Sequence, residues 1–435
     1  MRSDWKEVRI KNLGNIVTGS TPTPNEENWD GDINWCTPTD LNSSVYIYET
    51  SRKITETGYN SCGTKLFPPK SIILSTRAPI GKIAIAMDYM CTNQGCKTIV
   101  PNRSIVNSEF LYFYLLNRTE CLQSLGSGST FTELSTNNLN SLLIPLPPLA
   151  TQHAIANYLD EKLAVIDRNI SLLEQKRERY IALRKSLINK TVRYGLNPDA
   201  ELRNSGIEWF GEIPKHWEVK RLKEISKVES SGIDKKIVEG EELTKIVNYV
   251  DVYNNQRHEL YNSDDYMVVS ASAEKIKSKK LKKGDILITP SSETVEDIGI
   301  SSVVMEDLEG TLFSYHILRI QFSQNIDINF KKYVFNNTFV QNYFSSVSTG
   351  TTRKILSLSK IYNLQIPIPP LSEQVAIAEY LDKQSEKIDR IVENINAQLG
   401  KLAQLKKSLI NECVTGEREV GVLASSGSVG FQPTI

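Results

Sequence analysis

Apolar residues recur at strict seven-residue intervals in two stretches of the chain. Leu159, Ile166, Leu173, Tyr180 and Leu187 form one series, flanked by Leu163, Ile170 and Leu183. Leu381, Ile388, Ile395, Leu402 and Leu409 form the other, supported by Ile391, Val392, Leu399 and Leu405. Five consecutive heptads with one apolar seam predict a left-handed coiled coil between two helices. The first stretch contains neither Pro nor Gly from Leu149 to Arg193; Pro147 and Pro148 bar a helix before it, and Gly195 is placed to end it. Lys162, Asn169, Lys176 and Lys190, like Gln384 and Gln398, leave only a narrow apolar stripe. That stripe suits a two-helix seam better than the alternative, two core helices of one large domain. A helix of about 44 residues extends roughly 65 Å and would serve as a spacer.

The two stretches belong to an internal repeat. Ile144-Pro145-Leu146-Pro147-Pro148-Leu149 recurs as Ile366-Pro367-Ile368-Pro369-Pro370-Leu371, and Lys185-Ser186-Leu187-Ile188-Asn189 as Lys407-Ser408-Leu409-Ile410-Asn411. Over Ile144 to Gly195, 22 of 52 positions are identical in the second copy at a constant offset, so chance is excluded. The segments before each copy correspond more loosely. Trp5, Arg9 and Lys11 match Trp217, Arg221 and Lys223, and Gly128-Ser129-Thr130 faces Gly350-Thr351-Thr352. The chain thus reads as globular, helix, globular, helix.

Short β-branched runs separated by Asn, Ser and Thr loops predict strands in both globular copies. In the first they are Val45 to Tyr48, Ser71 to Leu74, Lys82 to Ala86 and Lys97 to Val100, with a helix over Glu109 to Asn117. In the second they are Lys245 to Val250, Asp285 to Thr289, Ser301 to Met305 and Ile317 to Phe322, followed by one helix from Phe330 to Phe344. The expected fold class is α+β: two domains with mixed sheets, separated by two long helices pairing as an antiparallel coiled coil with a pseudo-twofold relation. Domain limits are set at 1–148, 149–195, 196–369 and 370–416, with a tail over 417–435.

Charge changes the picture little at first. Lys plus Arg and Asp plus Glu both number 51, so the formal net charge is zero. The zero is a sum over segments, with surpluses of 0, +4, −2 and −2 across 1–148, 149–195, 196–369 and 370–435. A second basic run holds Lys275, Lys277, Lys279, Lys280, Lys282 and Lys283. Such runs face phosphate about as often as they form a solvated face. Six dilute cysteines without paired CxxC spacing fit a reducing compartment, and no apolar run reaches the ~18 residues that span a membrane, so a cytoplasmic location is expected.

The chemistry of an enzyme is missing. Gly81-Lys82 lacks the upstream Gly and the following Ser or Thr of a phosphate loop, and no GxGxxG opens a helix after a strand. His153, His216, His258 and His316 are scattered, and Cys91 and Cys96 have no partner pair, so neither a catalytic constellation nor a metal site is expected.

Two diverged globular domains, each followed by a Pro-Pro-Leu-x-x-Gln helix ending near Lys-Ser-Leu-Ile-Asn, resemble the specificity (S) subunit of type I restriction-modification systems. The likeness runs over nearly the whole chain. It includes Leu74-Ser75-Thr76-Arg77-Ala78-Pro79-Ile80-Gly81, Asn93-Gln94-Gly95-Cys96, and the linker Ser205-Gly206-Ile207-Glu208-Trp209-Phe210-Gly211-Glu212-Ile213-Pro214-Lys215-His216-Trp217. Two departures stand out: the usual Glu-Gln is Thr151-Gln152 in the first helix but Glu373-Gln374 in the second, and the second copy has Thr289-Pro290-Ser291-Ser292 in place of Arg-Ala-Pro-Ile-Gly.

The resemblance implies two target recognition domains, each reading half of a bipartite site on double-stranded DNA, with the paired helices setting the gap. It implies two adenine-methylating modification subunits as partners, which motor-nuclease restriction subunits can join. S-adenosylmethionine, ATP and Mg²⁺ would then belong to those partners and no cofactor to this chain, which would be non-catalytic. Loop and strand-edge residues able to reach base edges or phosphates are Arg77, Asn93, Gln94, Lys97, Ser129 and Thr130 in the first copy. In the second copy they are Lys279, Lys280, Ser291, Thr351, Arg353 and Lys354. The competing class is a coiled-coil adaptor that bridges proteins without reading sequence; diverged heads on near-identical helices argue against it.

Overall fold

The fold was taken from a computed structural model, which describes residues 4–41, 44–77, 79–126 and 133–421. Packing divides the chain into two units that cut across sequence order. One comprises Met1–Leu173 with Asn396–Ile435, the other Glu174–Ile395. Each unit holds one globular head, the beginning of the long helix that follows that head, and the end of the other long helix.

In the first unit a five-stranded sheet has the order Gly14–Thr18, Cys96–Pro101, Ile72–Ser75, Ile83–Ala86, Tyr46–Ile47. A three-stranded sheet orders Lys53–Ile54, Trp29–Cys36, Met90–Thr92, and Lys6–Arg9 pairs with Leu143–Leu146 just before the long helix. The second unit repeats this strand for strand. Its five-stranded sheet runs Ser226–Ser230, Leu318–Phe322, Ile286–Ile288, Ser301–Val304, Glu259–Leu260, and its three-stranded sheet Met267–Ala271, Glu242–Val247, Thr311–Phe313. Glu218–Arg221 pairs with Gln365–Ile368 before the second helix. Both five-stranded sheets are antiparallel except at their last pair, and in both three-stranded sheets the central strand is parallel to the last one. The sheets are mixed in each head.

The central strands are buried on both faces, which is why they read as continuous apolar runs rather than alternating ones. Ile72 and Leu74 point into the core that includes the helices, while Ile73 packs with Cys36, Phe67 and Met90 on the other side. Ile286 and Ile288 against Leu287 repeat that division.

The long helices span Leu149–Tyr194 and Leu371–Thr415. Gly195 and Gly416 follow them at φ +71° and +77°, the left-handed conformation that closes a helix and that glycine adopts without a Cβ clash. Within the first unit Arg418 donates to the Tyr158 hydroxyl at 3.2 Å and Lys406 pairs with Asp167 at 2.6 Å, so one helix descends as the other ascends. Within the second, Gly195 lies by Glu373 and Arg184 pairs with Asp389 at 2.6 Å, again antiparallel. Lys406 and Asp167 stand at the repeat positions of Arg184 and Asp389, so the same ion pair is made in both units with the helices exchanging roles. Leu159, Ile166, Leu381, Ile388, Ile395 and Leu409 are buried. Leu173, Tyr180, Leu187 and Leu402 are half-buried. Leu183 and Leu405, two of the flanking positions, are exposed, as a seam between only two helices dictates.

The repeated glutamine has a local cause. Gln152 is fully buried; its amide donates to the Pro147 carbonyl at 2.8 Å and the Ile105 carbonyl at 3.1 Å, and its oxygen accepts the Asn107 backbone N–H at 2.8 Å. Asn107 caps the head helix Ser108–Asn117 through the Phe110 N–H. Gln374 does the same with the Pro369 carbonyl at 2.8 Å and the N–H of Asp327 at 2.9 Å, and Asp327 caps the helix Ile328–Phe335. One side chain thus fastens the long helix to the head helix in both copies. The Thr151 versus Glu373 departure is explained by the linker: Glu373 accepts from Trp217 Nε1 at 3.0 Å and lies 2.6 Å from His216 Nε2. The linker that carries those partners precedes only the second head.

Two sequence expectations need correction. The run from Lys245 to Val250 is a strand only to Val247, because the Asp251 carboxylate accepts the Asn248 N–H at 2.6 Å and a helix starts there over Tyr249–Tyr253. The helix expected from Phe330 to Phe344 is two, Ile328–Phe335 and Thr338–Val347. Asn337 ends the first by donating to the Tyr333 and Val334 carbonyls and caps the second through the Val340 N–H.

The second head also buries a charge network. Arg319 is 3% exposed, pairs with Glu229 and donates to the Lys280 carbonyl at 2.6 Å, and Lys279 pairs with Glu229 at 3.0 Å. Burial opposes ionisation of Glu229, but Arg319, Lys279 and Lys227 outweigh it and hold the carboxyl down at about 2, below its ordinary 4.5.

Two outcomes follow. Replacing Gln374 by Leu leaves the Asp327 N–H and the Pro369 carbonyl without their partner, and should cost about 1–3 kcal/mol for each group stranded from water, read as a lower urea midpoint; an unshifted midpoint counts against the clamp. Because the folded pKa of Glu229 lies below the unfolded one, its contribution is complete above pH 4.5 and fades as pH falls towards about 2. The stability gap between the native chain and Glu229→Gln should therefore narrow across that window, and a gap constant from pH 6 to pH 2 contradicts the assignment.

Candidate nucleic-acid interface

In the first head several loops meet beyond the ends of the central strands. Ser75 ends a strand, and its hydroxyl donates to the Pro79 carbonyl at 2.7 Å while accepting the Lys82 N–H at 2.9 Å, which ties Pro79 and Lys82 back to the strand end. Thr76 N–H bonds the Gly95 carbonyl at 2.8 Å and Leu134 N–H the Thr76 carbonyl at 2.9 Å, stitching the 93–95 turn and residue 134 onto it. Asn93 shapes its own turn by accepting the Gly95 N–H at 3.0 Å. Gln94 stands exposed at the tip, joined to the Thr21 hydroxyl. Arg77 is half exposed and pairs with Glu133 at 3.0 Å.

Lys97 is not available on this surface. It is 3% exposed, and its ammonium is engaged by Glu133 at 3.1 Å, the Leu134 carbonyl at 2.8 Å and Thr76 Oγ1 at 3.5 Å. Three acceptors use all three donors, so Lys97 fastens the loops rather than reaching a ligand. Ser129 and Thr130 lie outside the described residues.

The second head presents a corresponding set of loops. Ser291–Ser292 pairs with Lys354–Ile355, and Leu356 N–H bonds the Pro290 carbonyl at 2.7 Å. This brings Ser291, Thr351, Arg353 and Lys354 together; Thr351 and Arg353 are exposed, and Lys354 folds back onto the Gly350 carbonyl at 2.8 Å. Lys279 and Lys280 belong to a different constellation. The Lys279 ammonium is committed to Glu229, and Lys280, whose carbonyl receives Arg319, keeps an exposed side chain.

Sequence reasoning missed part of this surface. Tyr249 and Tyr253 stack at 5.4 Å on the short helix that begins after Asn248, and the Tyr253 hydroxyl donates to Asp297 at 2.9 Å. Burial pushes the Tyr249 phenol up while Ser292 and Arg353 pull against it, which puts that ring beside the hairpin. His316, packed on Tyr315 at 3.8 Å, is pushed down by burial and by Lys235 and Arg353. The Asn248-x-x-Asp251 spacing was the available signal. Half-buried aromatic rings beside the exposed Arg353 are placed where a base could stack and a phosphate be met. Among the described residues no group of His, Cys, Asp and Glu could hold a metal ion, and no helix is long and apolar enough to cross a membrane.

Comparison with known proteins gives one family. The model of the type I restriction modification DNA specificity domain matches twice, over residues 2–179 and 214–401. The chain is similar to the type I restriction enzyme MjaIX specificity subunit of Methanocaldococcus jannaschii, at 30% identity over 96% of this chain and 94% of that one. It is also similar to the EcoBI specificity subunit of Escherichia coli, at 25% identity over 80% and 74%. Among solved structures, a chain described under the assembly and conformational transition of the type I R-M system shares the fold at a TM-score of 0.73, 17% identity, covering 95% of this chain and 98% of that one. The HsdS subunit of Thermoanaerobacter tengcongensis follows at 0.54 and 17% identity, covering 96% and 98%. With both heads and the greater part of each repeated helix inside the matched segments, this chain belongs to the type I restriction-modification DNA specificity family and carries its domain twice.

Proposed function

We propose that each head reads one half of a bipartite sequence in double-stranded DNA and that the paired helices set the number of base pairs between the halves. The observation that carries this reading is one strand order built twice beneath two different sets of loops. A constant frame positions, and variable loops specify, which is the division of labour in sequence readout. A bridging adaptor has no use for two distinct loop sets on one frame.

In the first head Arg77, Asn93, Gln94, Ser129 and Thr130 are the proposed contacts. In the second they are Ser291, Thr351, Arg353 and Lys354, with Tyr249 and His316 added by their place beside the hairpin and the exposed Lys280 as a phosphate contact. Two modification subunits dock on this chain and carry out adenine methylation, and restriction subunits join them for cleavage. S-adenosylmethionine, ATP and Mg²⁺ are handled by those subunits, in the cytoplasm, and this chain supplies recognition alone. Chemistry on a base requires it to be flipped into a pocket of its own, and a separate subunit meets that need.

Mapping methylated adenines in cells that express the chain with its modification subunits should return one motif of two half-sites and a fixed gap. On a duplex carrying that motif, Arg353→Ala should weaken binding by about 1–3 kcal/mol if the guanidinium reads a base edge. If it meets a phosphate instead, the slope of log K against log salt should flatten by about 0.9. Unchanged affinity and slope in an anisotropy titration remove Arg353 from the interface, and methyl transfer by this chain alone overturns the division of labour.

A further inference from the structure

The second head is fastened to its long helix at two points, and among the described residues no ion pair stands in place of the second point in the first head. Gln374 makes the first. The other lies eight residues further along the helix, about 12 Å at 1.5 Å per residue. There Asp382 Oδ1 accepts from Lys332 Nζ at 2.6 Å and from the Tyr333 hydroxyl at 2.6 Å. The same ammonium reaches Glu259 Oε1 at 2.5 Å, on the outermost strand of the five-stranded sheet. One buried cation therefore joins the head sheet, the head helix and the long helix.

Lys332 is 7% exposed. Burial alone would favour its neutral form, but Asp382 and Glu259 outweigh burial and raise its pKa. His258, beside it in the same groove of about 720 Å³, is pushed down to about 4 by burial and adds no charge at neutral pH. Removing the Lys332 ammonium would leave the Glu259 and Asp382 carboxylates without the cation that joins them, and losing one sign of such a cluster is destabilising.

The first head solves the same junction differently. Counting from the helix caps Asn107 and Asp327, which both bond the repeated glutamine, Tyr112 stands where Lys332 does. Asp160, the repeat partner of Asp382, receives the Tyr46 hydroxyl at 3.4 Å, and Lys70 pairs with Glu109 at 2.6 Å within the head. The groove there, about 830 Å³, is lined by Tyr46, Tyr112, Phe113 and Leu163. At this level the first head meets its helix through apolar side chains and one long hydroxyl contact, which set no sharp angle, whereas the second head meets it through short directional bonds to a charge.

We propose that Lys332 is a positioning residue: by bridging Glu259 and Asp382 it fixes the angle of the second head on its long helix, and through that angle the gap tolerated between the two half-sites. The proposal rests on the bipartite reading above.

The test compares the full chain with its modification subunits, native and as Lys332→Met, which keeps the stem and removes the charge. Duplexes hold both half-sites constant and vary the gap by one base pair either way. Lys332→Met should still recognise both half-site sequences, while discrimination against the neighbouring gaps falls by about tenfold, the factor to which ~1.4 kcal/mol corresponds. Lys332→Arg should restore most of it. A variant that keeps the native preference for one gap overturns the proposal, as does one whose half-site sequences change, since that would make Lys332 a base reader. Should Lys332→Met lower the unfolding midpoint enough to lose the head, Asp382→Asn makes the same comparison at a half-exposed position, and an unchanged gap preference there is equally decisive. If the native complex itself selects no bipartite site, it is the functional reading that fails, a result distinct from all of these.

Discussion

Each head closes its core with the end of a helix that does not follow it in the chain. In the first unit Leu409, Ile410, Cys413 and Val414, from the last turns of the second long helix, pack with Ile10, Phe110, Leu139 and Ile155. In the second, Val192 at the end of the first long helix packs with Trp217, Phe210, Phe330 and Ile377. Polar contacts follow the same rule: Asn411 accepts from Asn117 at 2.9 Å, and Asn189, its repeat partner, accepts the Thr338 N–H at 2.9 Å. Cys413, Val414 and Val192 lie just beyond the repeated Lys-Ser-Leu-Ile-Asn segments, to which Leu409, Ile410, Asn411 and Asn189 belong. Their identity in the two copies reflects a shared task, filling the helix-shaped gap in a head, since a buried cluster of this kind tolerates volume changes poorly.

That constraint explains where the copies agree and where they part. At its start a long helix must satisfy the N–H of a head-helix cap and the carbonyl before Pro-Pro, so the glutamine is invariant between copies. At its end it must fill a core, so the apolar residues and the asparagine are retained. Between them, the seam positions face the other helix. The seam residues Leu173 and Tyr180 answer to Ile395 and Leu402, apolar in kind but different in shape; Ile395 is buried and the other three are half-buried, so packing there is less demanding than in a head core. Ion pairs follow the same logic: Lys406 with Asp167 and Arg184 with Asp389 need opposite charge at matching height, and Lys and Arg serve equally.

Much of this was legible because it rests on periodicity. Heptads, the Pro-Pro stop and Gly195 mark the long helices, and doubly buried strands such as Ile72 to Leu74 stand out as apolar runs. The sequence pattern failed where a polar side chain, rather than a repeat of apolar ones, decides the backbone. Lys245 to Val250 looks like one β-branched strand until Asn248 turns it into a helix cap, and Asn336-Asn337 breaks what apolar spacing would continue. The candidate surface was hardest to read for the same reason. A lysine next to a Gly-rich turn is a reasonable guess for a ligand contact, and only burial distinguishes Lys97, with three protein acceptors, from Arg353, which is exposed. Nor could spacing show that Lys332 meets Glu259 and Asp382, because those partners come from a strand and a helix far apart in sequence.

The two heads also differ in how they spend charge inside. The first buries Thr98 on the strand where the second buries Arg319, both beside the middle of the central strand, at Ile73 and Leu287. An arginine there demands Glu229 and Asp285 around it, and those acids in turn engage Lys279 and Gln321. A neutral threonine demands nothing comparable. A buried ion network of this kind resists replacement one residue at a time, because removing either sign strands the other. In the second head Lys279 and Lys280, surface residues by position, are thereby coupled to the interior through Glu229 and Arg319. The first head has a smaller link of the same kind, in which Arg77 on the surface meets the buried Lys97 through Glu133.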